Sequence, residues 1–100
     1  MAAEKSLAAV EEEIAGERAA SLGRGGRRLR VALDNLSRFD RHAADTRRAD
    51  PLARAKLVKA ASDAFWLYVV QREALGLIDS EYIRREYGVP LDVWRRVGPG

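Results

Sequence analysis

The apolar run AFWLYVV, residues 64–70, decides the fold that we predict for this chain. Its aromatic and β-branched residues would also suit a strand. However, alanine-rich sequence precedes the run, QREAL follows it at residues 71–75, and no turn residue interrupts this stretch. We therefore predict a helix that carries Phe65, Trp66 and Tyr68. Because this helix is apolar on several sides, we expect it at the centre of the fold.

The limits of this central helix follow from its flanking residues. Asp50 and Pro51 are a typical helix start, since the carboxylate accepts hydrogen bonds from free amides and proline needs no partner for its nitrogen at the first position. Gly76 is a typical stop. The helix should run from Pro51 to about Leu75.

Two amphipathic stretches precede it. Leu7, Val10 and Ile14 share one helical face, and the set Leu29, Leu33, Leu36 and Phe39 shares another. Between them, residues 23–26 read Gly-Arg-Gly-Gly, which suits either a hairpin turn or a weak segment of one long helix. Apolar residues recur every seven positions, and this repeat shifts by one residue across several turns. A continuous straight helix requires such a shift, because it drifts by about 20° per heptad. This favours continuity, with a helical hairpin as the alternative.

The C-terminal part predicts two short helices. Asp79 is expected to cap the first, which ends at Gly88, and Val89-Pro90 starts the second, through Val93, Trp94 and Val97. Residues 98–100 should form a disordered tail. The prediction is an all-α single domain over residues 1–100: a small helical bundle with a long N-terminal helix or helical hairpin, a central aromatic-rich helix and two short C-terminal helices.

Residues 66–74, WLYVVQREA, followed by YGVP at residues 87–90, resemble small bacterial proteins that are grouped as a family of unknown function. The resemblance covers most of the chain. It implies a helical fold and no role for any residue.

The composition indicates the cellular compartment in which we expect this protein. The chain has no cysteine, which fits a reducing compartment. Residues 11–13 are all glutamate, where a signal peptide would need apolar residues, so export by that route is not expected. The apolar run of residues 64–70 is far shorter than the roughly 20 residues that cross a bilayer as a helix. We expect a cytoplasmic protein without a membrane span.

Charge is distributed unevenly along the chain. Residues 1–17 carry a net charge of −4 and residues 18–30 carry +5. A long helix of this kind would pair well antiparallel with its own copy, with Glu11, Glu12, Glu13 and Glu17 facing Arg24, Arg27 and Arg28. The main hypothesis is therefore a non-enzymatic helical protein that forms a homodimer or binds a protein partner. The candidate self-association residues are Leu7, Val10, Ile14 and Trp66.

The alternative hypothesis is nucleic-acid binding. Residues 83–96 resemble a helix-turn-helix whose second helix presents Arg95 and Arg96. Arg84 stands where that motif needs a small residue, and the second helix would have only about two turns. The basic cluster of residues 24–30 adds four candidate phosphate contacts, Arg24, Arg27, Arg28 and Arg30. It lacks nearby aromatic residues for base stacking, so a solvated or glutamate-paired helix face is the favoured interpretation.

An enzymatic role is not expected. His42 is the only histidine, and its spacing to Asp40 and Asp45 matches neither a metal site of helical bundles nor a nucleophile partner. We interpret it as a surface residue near a helix end. Glu13 and Glu17 lie four apart but belong to a solvated acidic face. The glycines at 23–26 lack the Lys-Ser/Thr ending of a phosphate-binding loop. No catalytic residue, cofactor or metal is predicted.

Overall fold

A computed structural model describes residues 6–96 as four helices: α1 (Leu7–Thr46), α2 (Pro51–Glu73), α3 (Ser80–Glu86) and α4 (Leu91–Trp94). Residues 6–96 contain no strand. The predicted all-α class is confirmed, as are the long first helix, the central aromatic-rich helix and the two short helices that follow. The predicted tail at 98–100 lies outside the described residues.

α1 passes through residues 23–26 without a break, so the continuous helix is confirmed and the hairpin alternative is wrong. Gly25 and Gly26 are buried in this segment. A Cβ at Gly25 would overlap Oε1 of Gln71, and one at Gly26 would lie 3.2 Å from the hydroxyl of Tyr68. Both neighbours belong to α2. The cost of about 1 kcal/mol for each helical glycine is therefore offset by closer packing of α2 on α1.

The connection from α1 to α2 is short and well defined. Arg47 ends α1 in the left-handed conformation, at φ +53°, and its amide donates to the carbonyl of Ala43. The carboxylate of Asp50 then accepts a hydrogen bond from the amide of Ala53 at 3.1 Å, with Pro51 in the first turn of α2. The predicted start of the central helix is confirmed.

The core lies between α1 and α2 and is closed by the C-terminal segment. Phe65 is fully buried in α2, and its ring meets that of Trp66 edge to face with centroids 5.0 Å apart. α1 contributes Leu29, Leu33 and Leu36; α2 also contributes Val58, Ala61, Ala64, Tyr68 and Val69; the C-terminal segment contributes Ile83, Val89 and Val93. The predicted central position of α2 is confirmed.

Glycines end α2 and α3 as predicted. Gly76 has φ +82°, and the amides of Gly76 and Leu77 donate to the carbonyls of Glu73 and Arg72. This pattern satisfies carbonyl groups at the end of a helix and requires a left-handed residue, which glycine adopts without strain. Gly88, at φ +62°, ends α3 in the same way.

The predicted capping role of Asp79 is wrong. Asp79 precedes α3, but its side chain makes no hydrogen bond to the amides of that helix. Its carboxylate instead accepts hydrogen bonds from Arg72 of α2, with Nε 3.0 Å from Oδ1. An ion pair with a guanidinium is stronger than a hydrogen bond to a neutral amide, so Asp79 joins the α2–α3 connection to α2.

Candidate interaction surface

The N-terminal end of α1 extends beyond the rest of the fold. Near the end of α2, Nε2 of Gln71 lies 3.4 Å from Oγ of Ser21 in α1. Leu75, two residues after α2, shares a surface cavity of about 220 Å³ with Arg18 and Leu22 of α1. Residues 7–17 continue past this point for about 16 Å. We call this segment the overhang. Residues 11–17 of the overhang are all exposed.

The overhang continues the apolar face by which α1 packs on α2. Leu7 lies 18 residues before the buried Gly25, which is five full turns, so the two residues face the same way. Leu7 is nevertheless 73% exposed and Ile14 is 46% exposed. The structure thus places Leu7, Val10 and Ile14 together on a face that no described residue from α2, α3 or α4 covers.

Trp66, the fourth candidate self-association residue, lies elsewhere. Its ring is half-buried against the core, and its Nε1 is buried without a hydrogen-bond partner within residues 6–96. Tyr68, two residues further along α2, contacts Gly26, which is 12 residues from Ile14 and so about 18 Å away along α1. The structure does not bring Trp66 into the surface formed by the overhang.

The arginines of the basic cluster differ in their surroundings. The guanidinium of Arg30 stacks on Tyr87, 4.6 Å from the ring centroid, and that of Arg27 folds back over Gly23. Arg24 and Arg28 are exposed and have no ion-pair partner in the part of the chain that the structure describes. Of the four predicted phosphate contacts, Arg30 is therefore already engaged with the C-terminal segment.

The C-terminal segment that resembles a helix-turn-helix closes the core. Ile83 and Val93 are fully buried. Arg84 stacks on Trp94 at 4.7 Å and also pairs with Glu81, with Nη2 2.7 Å from Oε2. α4 covers only residues 91–94, one turn instead of the expected two, and Val97 lies outside the described residues.

Arg95 and Arg96, the candidate DNA contacts that follow α4, are exposed. The guanidinium of Arg95 lies 5.8 Å from the ring centroid of Trp94, and the carbonyl of Arg96 accepts a hydrogen bond from Oγ of Ser62. No described contact joins either residue to the basic cluster.

Two arginines of α2 link the helices, and the sequence had given no sign of either. Arg54 donates to both carboxylate oxygens of Asp40 in α1, at 2.9 and 3.1 Å, and to Asp92 in α4 at 2.6 Å. These hydrogen bonds raise the pKa of Arg54 and lower that of Asp40. The partners are 14 and 38 residues away from Arg54, beyond the reach of any helical spacing pattern.

Arg72 links α2 to the segment before α3. Hydrogen bonds from its guanidinium lower the pKa of Asp79, and the same group lies over the ring of Tyr68, 5.6 Å from its centroid. Burial and a hydrogen bond with Tyr68 raise the pKa of Tyr87. These contacts hold Tyr68 and Tyr87 against Gly26, so they support the packing of three helices.

The surface of the described residues 6–96 also carries shallow grooves between its helices. A groove of about 510 Å³ lies between α1 and the turn before α4, and its polar residues are of both charges, among them Arg30, Asp34, Asp40 and Arg41. Within residues 6–96 there is no cluster of three or more histidine, cysteine or acidic residues that could hold a metal ion. His42 is exposed near the end of α1, as predicted. Among the described helices, none is both long and apolar enough to cross a membrane.

The chain belongs to a family of unknown function, DUF6665, whose model matches residues 2–99. No curated protein and no solved structure matches it. The family assignment confirms the resemblance that residues 66–74 and 87–90 carry. It brings no activity, ligand or partner with it.

Proposed function

We propose that this protein is a non-enzymatic helical interaction module that self-associates through the overhang of α1. The observation that carries the proposal is the continuation of the apolar face of α1, through Leu7, Val10 and Ile14, beyond the end of α2. A cytoplasmic location in a bacterium belongs to the same proposal, and the lack of cysteine fits a reducing compartment.

The physics of short helices supports a partner for the overhang. Residues 7–17 extend a helix that the rest of α1 already nucleates, so the cost of holding them helical is their conformational entropy, which propagation in water scarcely offsets. Exposed Leu7 and Ile14 add unfavourable contact with water, at about 25 cal/mol per Å² of apolar surface. A second helix packed along this face would remove both costs.

The experiment is sedimentation velocity on the full chain at micromolar concentrations over a range of salt. We expect a dimer that the double variant Leu7→Asp, Ile14→Asp converts to a monomer, with any loss of helical content confined to the overhang. The control is Leu52→Asp, which changes an exposed leucine in the first turn of α2, away from the overhang. The control should remain dimeric. A wild-type chain that is monomeric at every salt concentration would contradict the proposal.

Nucleic-acid binding, the alternative, gains no support from the geometry. α4 has a single turn, and Arg30 and Arg84 stack on aromatic rings of the same chain. A gel-shift titration at low and moderate salt tests it directly, since phosphate contacts by arginine weaken steeply with salt. Absence of a shift at low salt would end this alternative.

A further inference from the structure

Four residues spaced seven apart run along the outer side of α1. They are Val10, Glu17, Arg24 and Val31, which we call the heptad stripe. Glu17 and Arg24 are exposed, Val31 is 57% exposed and Val10 is partly exposed. At 100° per residue, Arg24 and Val31 lie about 140° and 160° around the helix from the buried Leu29. Val10 and Glu17 lie about 100° and 120° from Leu29, so the stripe begins on the flank of α1 at Val10 and turns towards the side that faces away from α2 at Val31.

The order of these residues is apolar, acidic, basic, apolar. An antiparallel second copy, centred between Ala20 and Ser21, would bring Val10 opposite Val31 and Glu17 opposite Arg24, twice each. We propose that two copies of the chain pair in this register, about a two-fold axis that passes between Ala20 and Ser21. This inference rests on the proposed self-association and specifies its geometry.

Other registers of the same stripe are unfavourable. A parallel pair would place Glu17 against Glu17 and Arg24 against Arg24 of the partner copy. An antiparallel pair shifted by one heptad would again oppose two glutamates or two arginines and leave a valine against a charge. Like charges at such positions destabilise a helix pair, whereas opposite charges select the partner and its direction.

The proposed register also covers the overhang. In this register, Val31 of the partner copy lies opposite Val10, and Ile14 and Leu7, about 40° and 60° from Val10 around the helix, flank that contact. Ala20 and Ser21, the residues nearest the axis, are small and allow the two helices to approach. Residues spaced seven apart drift by about 20° per repeat around a straight helix, so the two helices should form a left-handed supercoil.

Charge reversal tests the register. Glu17→Arg and Arg24→Glu should each weaken dimerisation by about tenfold at low salt, since each places two like-charge pairs in the dimer. The double variant Glu17→Arg, Arg24→Glu should recover wild-type affinity. An equimolar mixture of the two single variants should form a heterodimer, because every pair between the two copies is then of opposite charge.

Cysteine cross-linking gives a second readout, because the natural chain has no cysteine. Ala20→Cys, at an exposed position beside the axis, should form a disulfide-linked dimer under mild oxidation, whereas Arg38→Cys, exposed and far from the axis, should not. If the wild type is a dimer but neither charge rescue nor Ala20→Cys cross-linking occurs, the register is wrong and self-association stands. If the wild type is a monomer at every salt concentration, both proposals fail.

Discussion

Tyr87 packs edge to face against Tyr68, with ring centroids 5.7 Å apart and an interplanar angle of 67°. Both hydroxyl groups lie over Gly26, where a Cβ would be 2.9 Å from the oxygen of Tyr87 and 3.2 Å from that of Tyr68. Gly26 is thus the point at which α1, α2 and the end of α3 come into contact, and its missing side chain is a packing requirement.

Substitution of Gly26 by alanine should therefore destabilise the protein. In an exposed helical position this change normally stabilises by about 0.5–1 kcal/mol. At Gly26 we expect a net loss of about 1–3 kcal/mol, because the added methyl group overpacks a buried contact. Chemical denaturation measures the difference. The control is Gly16→Ala, which has no neighbour within 4 Å and should be stabilising; equal effects at the two sites would contradict the packing argument.

Replacement of Arg47 by glycine should stabilise the chain. Arg47 occupies the left-handed conformation at the end of α1, which costs a residue with a side chain roughly 1–2 kcal/mol. Glycine removes this strain, but it also raises the conformational entropy of the unfolded chain. The free energy of unfolding should therefore rise by about 0.5–1 kcal/mol. Thermal and urea unfolding can both detect it. Arg48→Gly, at the next position, lacks the positive φ and should not stabilise.

Stability should fall as the pH drops below about 4. Arg54 and Arg72 hold the pKa values of Asp40 and Asp79 below those of the unfolded chain, where an aspartate titrates near about 3.9. The unfolded state therefore binds more protons in this range, and the stabilisation that is fully present above it is lost as both carboxylates become protonated.

Urea unfolding at pH 5 and at pH 3 checks this dependence. The double variant Asp40→Asn, Asp79→Asn should be less stable at pH 5 and lose less stability on acidification than the wild type. Asp45→Asn, at an exposed position, serves as the control and should keep the wild-type pH dependence. An unchanged pH dependence in the double variant would show that the two ion pairs do not contribute to it.

The C-terminal segment should contribute strongly to global stability. Ile83 in α3 is 1% exposed, whereas Ile78, five residues earlier, is 88% exposed. Ile83→Ala should cost about 2–5 kcal/mol through lost burial and the cavity that it leaves. Ile78→Ala should change stability by less than about 0.5 kcal/mol. Similar losses for the two variants would mean that α3 does not close the core as described.

Local patterns predicted most of the fold. Asp50 and Pro51 placed the start of α2, and Gly76 and Gly88 placed the ends of α2 and α3, because capping and left-handed turns depend on residues within one turn of the chain. Asp79 was the exception. The same local rule predicted a cap, but its carboxylate pairs with Arg72, a partner that becomes available only when the chain turns back on itself.

The sequence by itself determined that the chain is helical, that α2 lies at the centre, and that the acidic start of α1 is followed by a basic cluster, since periodicity and composition are properties of the chain alone. Tertiary structure decided that α1 is continuous and how far it extends. Glycines at 23–26 permit either a turn or a helix, and the close approach of Tyr68 and Gln71 to Gly25 and Gly26 favours the helix. The end of α2 beside Ser21 then leaves Leu7 and Ile14 uncovered, because α1 is longer than the helix that packs against it.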